Sequence, residues 1–226
     1  MLKYKPDFSF MNTHKPDFSK MSKSKIAGYI WDYYKVPILI SLVILSSLVS
    51  SIYKHVTAKE PVLDVIMINS TSSYDGDMGS NDFVSHLGLD PKEYGVQAYT
   101  SFRLGFDEKH YADDFNVIQT LIVRLTEGDI DVFGGTPQAF QEFAMEGYFS
   151  DLRSYFTEDE LAALEPILVY TTERETGLTY PCGFSLGDSK WNKTYYYFSG
   201  DCQFGIMFNA DQAATAKAFL TYAINY

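Results

Sequence analysis

The chain has 226 residues, a formal net charge of −11, and 16% aromatic side chains. That aromatic content excludes a disordered stalk, and the acidic balance excludes nucleic acid, whose phosphates demand clustered Lys and Arg. The charge is unevenly divided: residues 1–56 carry eight Lys and three Asp, whereas residues 57–226 carry ten Lys and Arg against twenty-six Asp and Glu.

Residues 1–35 read as a basic tail in which Lys5-Pro6-Asp7-Phe8-Ser9 recurs as Lys15-Pro16-Asp17-Phe18-Ser19. Each copy has the chemistry of a turn, with Pro fixing φ and Asp able to bond the following backbone. Two copies offer bivalent docking of a cytoplasmic partner; chance duplication in an unstructured tail is the plainer alternative. Residues 36–53 form an uncharged apolar run, VPILISLVILSSLVSSIY. As a helix it is about 27 Å long, near the lower limit for spanning a bilayer. Tyr29, Trp31, Tyr33 and Tyr34 precede it and Tyr53 closes it, as interfacial rings do. Seven Lys precede the run, so the expected topology is a single-pass membrane protein with a cytoplasmic N-terminus and an extracellular C-terminal domain. Val56-Thr57-Ala58 also suits a signal peptidase, and the two alternatives are a retained anchor, which is favoured, and cleavage after Ala58.

Residues 54–61 are a linker and residues 62–226 one extracellular α/β domain, large enough to bury about two-thirds of its unfolded surface. In chain order, Leu63–Ile68 reads as a buried strand, Asn81–Leu87 as a helix stopped by Gly88, and Gly95–Thr100 as a strand. Tyr111–Leu125 has helical apolar spacing, and Ile130–Phe133 is a strand. Gly134-Gly135-Thr136-Pro137 starts a helix that ends near Gly147, with Thr136 as its cap. A helix over Glu158–Val169 follows a Thr157 cap, Gln203–Phe208 is a strand, and Asp211–Tyr222 a helix. Alternation of this kind implies a mostly parallel sheet flanked by helices.

Gly128-Asp129-Ile130-Asp131-Val132-Phe133, followed by Phe143-Ala144-Met145-Glu146-Gly147-Tyr148-Phe149-Ser150-Asp151-Leu152, resembles a recurring block of extracellular solute-binding proteins. Pro181–Ser189 resembles their return to the first lobe, and Gly205–Ala210 with Ala218–Tyr222 their last strand and helix. The resemblance implies a single-lobe, membrane-anchored relative of a two-lobed, transporter-associated fold at the surface of a bacterium without an outer membrane. A second lobe is missing, so the ligand would meet an open face.

Ligands of open α/β sheets bind beyond the carboxyl ends of the strands. The candidate ligand-binding residues are therefore Asn69, Ser70 and Thr71 after the first strand, Gly134, Gly135 and Thr136 before a helix start, and Tyr74 as a stacking ring; ordinary connecting loops are the alternative. Asp75–Asp82 lacks the Gly and Glu positions of a calcium loop, and no metal site is assigned. No GxSxG or HExxH motif is present, so the chain reads as non-enzymatic and without a cofactor. Cys182 and Cys202, an even count in an oxidising compartment, are read as a disulfide, with two buried free thiols as the alternative. The expected function is capture of a small solute or a membrane protein partner at the cell surface. The alternative is a structural subunit of a membrane complex that docks through Tyr195-Tyr196-Tyr197-Phe198.

Overall fold

A computed structural model of the chain describes residues 22–71, 76–78, 81–105 and 115–226. Tyr74, the repeated tail motif, residues 75, 79 and 80 of the acidic loop and residues 111–114 of the helix expected over Tyr111–Leu125 lie outside them. The chain divides into two compact units, Met1–Ala58 and Lys59–Tyr226.

In the first unit, helix α1 spans Lys23–Thr57 and contains one stretch, Tyr34–Tyr53, long and apolar enough to cross a membrane. The helix overruns the apolar run at both ends. Nothing from Tyr53 to Val56 breaks it, and the Thr57 hydroxyl donates back to the Tyr53 carbonyl at 2.7 Å. Strand β1 (Glu60–Ile68) then begins at once, because Pro61 forces Glu60 into extended backbone. The linker expected over 54–61 is thus reduced to Ala58 and Lys59.

The second unit is a sheet with helices on both faces. After β1 come β2 (Gly76–Asp77), α2 (Asn81–His86), β3 (Tyr94–Tyr99), α3 (Phe115–Glu127), β4 (Val132–Gly135) and α4 (Pro137–Met145). They are followed by α5 (Glu158–Ala163), β5 (Leu168–Thr172), β6 (Thr179–Ser185), α6 (Lys190–Tyr195), β7 (Gln203–Ile206) and α7 (Ala213–Asn225). The strand order is β2-β3-β1-β4-β7-β6-β5. β1 pairs in parallel with β3 and β4, and the other four pairings are antiparallel.

The sheet is therefore mixed, not mostly parallel. Two strands account for the difference. The helix expected over Glu158–Val169 stops at Ala163, since Pro166 can neither donate to the carbonyl of Ala162 nor clear it. Leu168–Thr172 is released to form β5, which makes a hairpin with β6 and brings β7 in antiparallel beside β4.

Alternation along the strands separates two cores. Leu63, Val65, Met67, Val132, Phe184, Phe204 and Ile206 face α2, α6 and α7; Ile66, Ile68, Phe133 and Cys182 face α3 and α4. The cores are dense in aromatics. Trp191 meets Phe204 and Phe219 edge-on at 5.5 Å, and Phe140 stacks on Phe149 at 4.3 Å.

Both cysteines are free and buried, on opposite faces of the sheet. The Leu186 amide bonds the Cys202 carbonyl, so Cys202 lies opposite Leu186, four residues along β6 from Cys182. That offset is about 13 Å at strand rise, well beyond disulfide reach. The expected disulfide is thus replaced by two thiols whose pKa values burial pushes up to about 12.

Candidate functional site

The helix after β1 (α2) covers one face of the sheet and the helix after β4 (α4) the other. Adjacent parallel strands whose connections leave on opposite faces open a crevice between their carboxyl ends. In register, Ile68 faces Gly135, Gly135 faces Gln203, and Gln203 faces Ser185. The residues that follow β1 and β4, Asn69 and Thr136, therefore stand side by side. Gln203 and Ser185 extend the same edge across the antiparallel half of the sheet.

Within this edge the expected ligand contacts divide into fasteners and open positions. Asn69 adopts φ 60, a conformation that Asn tolerates. Its side chain accepts from the Leu104 amide at 2.8 Å and donates to the Leu104 carbonyl at 2.9 Å, as a paired strand would. The Ser70 hydroxyl is buried and 3.4 Å from the Thr100 carbonyl. Thr71 donates its amide to Tyr197 O at 2.7 Å and its hydroxyl to the carbonyls of Tyr196 and Tyr197. These three residues tie the first strand to the loop after β3 and to the end of α6.

Gly134 and Gly135 are buried against the chain's own side chains. A Cβ at 134 would clash with the Phe204 ring at its Cε1, and one at 135 would press on Phe133 at 3.2 Å. The double glycine admits neighbouring rings instead of a ligand. Thr136 opens α4 with Pro137 at the first helical position, yet its side chain makes no capping bond; only its carbonyl receives Phe140 N, at 2.9 Å.

Two residues at this edge, Gln203 and Ser185, escape the sequence reading, and a third, Tyr196, was expected only as part of a docking patch. Gln203 Oε1 is buried and has no hydrogen-bond partner among the described residues. Thr171 Oγ1 and Asn209 Oδ1 share that condition, but of the three only Gln203 lies in the row with Gly135. Ser185 neighbours it on β6. Tyr196, which ends α6 at φ 55, is 63% exposed while its carbonyl is held by Thr71. An exposed aromatic residue in left-handed backbone costs about 1 kcal/mol and persists only where its surroundings enforce it. Gln203 becomes visible only once β7 is known to lie beside β4, which a mostly parallel expectation hides. The aromatic patch expected over Tyr195–Phe198 reduces to Tyr196, since Phe198 is buried and Tyr195 and Tyr197 stack half-buried at 5.9 Å.

Beside Leu104, a groove of about 370 Å³ runs between α3 and α4, walled by Ile118, Ile122, Phe143 and Tyr148. Arg174 closes its rim in ion pairs with Glu146 and with Glu142 at 3.1 Å.

Away from this edge, where the middle of β1 meets the start of β4, lie two carboxylates of raised pKa. Half-buried Asp64 accepts from the Tyr99 hydroxyl at 3.2 Å, and its pKa is raised to about 6 by burial, with Asp131 and Asp129 adding to the rise. Arg124 lies 4.6 Å from the Tyr99 ring centre. Buried Asp131 accepts from Asp64 N at 3.0 Å and Gln212 N at 2.7 Å, which fastens β1, the start of β4 and the approach to α7 together. Its pKa is also raised, chiefly by burial. Asp131 thus serves as a clamp. Among the described residues no cluster of three or more His, Cys, Asp or Glu could hold a metal ion.

No family model, no curated protein and no solved structure matches the chain.

Proposed function

We propose that the chain is a membrane-anchored, non-enzymatic binding protein. Its α/β domain captures a small polar solute outside the cell, at the edge formed by Thr136, Gln203, Ser185 and Tyr196. The single observation that carries this reading is the buried Gln203 Oε1, without a hydrogen-bond partner among the described residues, in the row Ile68–Gly135–Gln203–Ser185 at the crevice where open α/β sheets take ligands. A buried acceptor left unpaired costs about 1–3 kcal/mol, and an incoming N–H or O–H group recovers that cost. Tyr196, whose carbonyl is held by Thr71, supplies an exposed ring. Asn69, Ser70 and Thr71 act as positioning residues that hold the edge open. The apolar run of α1 supplies the anchor, and the Lys-rich side of that run stays in the cytoplasm. Single-lobe kinship to solute-binding proteins is part of this proposal and rests on the sequence resemblance.

The test is thermal melting of the full-length chain in detergent micelles against glucose, maltose, glycine, glutamine and glycylglycine. Ligand that binds only the folded state raises the melting temperature through RT ln(1 + [L]/Kd). One class is expected to raise it, and Gln203→Ala and Tyr196→Ala are expected to abolish that rise. A flat response across the panel, or a rise that survives both substitutions, overturns the reading.

A second reading, docking to a membrane protein partner as an accessory subunit, is favoured by the groove between α3 and α4. It is mostly apolar with a small charged rim, as partner surfaces are. Co-purification of a membrane protein that is lost in Ile122→Asp supports docking; unchanged co-purification removes it.

A further inference from the structure

A second cleft, of about 640 Å³, lies between α2 and α7 and is lined by Asp82, Ser85, His86, Thr221, Tyr222 and Tyr226, with Asn225 beside them. Its chemistry differs from that of the strand edge. Tyr222 and Tyr226 meet at 5.5 Å, Tyr195 approaches Tyr226 at 5.7 Å, and His86 lies 5.3 Å from Tyr222. These tyrosines are half-buried, so each ring is fixed by packing while part of it faces solvent. The Asp82 carboxylate is exposed and accepts from the Tyr195 hydroxyl at 3.3 Å. One ammonium group already uses this surface: Lys190 Nζ sits 5.2 Å from the Tyr226 ring centre and 3.4 Å from the Tyr226 carbonyl.

Fixed aromatic rings beside a carboxylate are the chemistry that recognises organic ammonium ions. The ring quadrupole attracts the cation, and the carboxylate neutralises it. The excess of Asp and Glu over Lys and Arg in residues 57–226 adds a long-range field that draws cations in. We infer that the cleft between α2 and α7 binds a small organic cation. Its ammonium group lies between the Tyr222 and Tyr226 rings and the Asp82 carboxylate, and Lys190 competes for the Tyr226 face. This site is separate from the strand edge and does not depend on solute capture there.

The test is titration of the full-length chain, in an uncharged, choline-free detergent, with choline and with its neutral carbon isostere 3,3-dimethylbutan-1-ol. Tyrosine ring resonances and calorimetry report binding. Choline is expected to saturate the signal and the isostere to leave it unmoved. Asp82→Asn, a change on an exposed side chain, is expected to weaken choline about five-fold, and Lys190→Met to tighten it about two-fold, the range of surface cation–π and ion-pair effects. Glycerophosphocholine carries the same ammonium on a lipid headgroup analogue. Choline binding at least as tightly as this analogue supports a small-cation site; tighter binding of the analogue overturns it. Equal binding of the isostere, no binding of choline, or an unchanged affinity in Asp82→Asn also overturns the inference.

Discussion

At the scale of single residues, Asp64 gives the domain a pH dependence whose sign is fixed. Burial, with Asp131 and Asp129 nearby, raises its folded-state pKa from 3.8 to about 6. The folded state therefore holds this proton more tightly than the unfolded chain. Stability from this group rises as pH falls through about 6 and levels off near the unfolded value. Half-exposure and the Tyr99 hydrogen bond limit the gain to about 1 kcal/mol. Melting of the wild type is expected to rise between pH 7 and pH 5, and Asp64→Asn to flatten that slope while melting higher at pH 7. A wild-type curve that falls over this interval contradicts the assignment.

Gly134 makes a different point about single residues. The sequence shows a double glycine before a helix start, but not which atom needs the space. Phe204 fills it from a strand seventy residues away. Gly134→Ala is therefore expected to destabilise by about 3 kcal/mol, the upper end of overpacking costs. A circular-dichroism melt checks this, and Phe204→Leu in the same chain should recover part of the loss.

At the scale of elements, most of the parallel half was legible. β1, β3, β4, α2 and α4 fall within a few residues of their expected bounds because their signals are local. These are apolar runs of strand length, Gly88 and Gly147 in positive φ, and Pro137 at a helix start. The antiparallel half was less so. Thr157 does form its capping box with Glu160, at 3.2 and 2.7 Å, but the capped helix ends before Pro166, and β5 and β6 follow where no strands were expected. Thr179–Ser185 is interrupted by Pro181 and Gly183, which mask a strand in sequence. The cost of missing it was the position of Gln203.

Asn69 also belongs to this scale, since it joins β1 to the loop after β3. Removing its side chain deletes both Leu104 bonds and leaves Ala in positive φ. Asn69→Ala is expected to lower stability by about 2–3 kcal/mol. It should also speed amide exchange at Leu104 over that at Val65, a local readout that general unfolding would not give.

At the scale of the whole molecule, orientation can be tested because the two native cysteines are buried and unreactive. Leu178 is 63% exposed on the β5–β6 hairpin, and Ser22 is exposed just before α1. Leu178→Cys should react with a membrane-impermeant maleimide on intact cells, and Ser22→Cys only after permeabilisation. The reverse pattern overturns the topology, and labelling of both residues on intact cells removes the anchor. The proposed orientation rests on the charge contrast across Val36–Tyr53. Of the proposed site, the sequence suggested its place, the crevice after β1 and β4. Thr136 was named from sequence, but Gln203 and Ser185 were not, because they depend on which distant strand lies beside β4.

The central claim is that Gln203 is kept for a ligand and not for the fold. The most direct measurement is a paired melt of the full-length chain carrying Gln203→Leu or Asn69→Leu, with no ligand added. If Oε1 is a reserved, unpaired acceptor, replacing the amide by an apolar group of similar size removes a buried cost. Gln203→Leu then melts at or above the wild type while Asn69→Leu falls. If Gln203→Leu falls as far as Asn69→Leu, the amide is a structural fastener and the binding site does not lie at this edge.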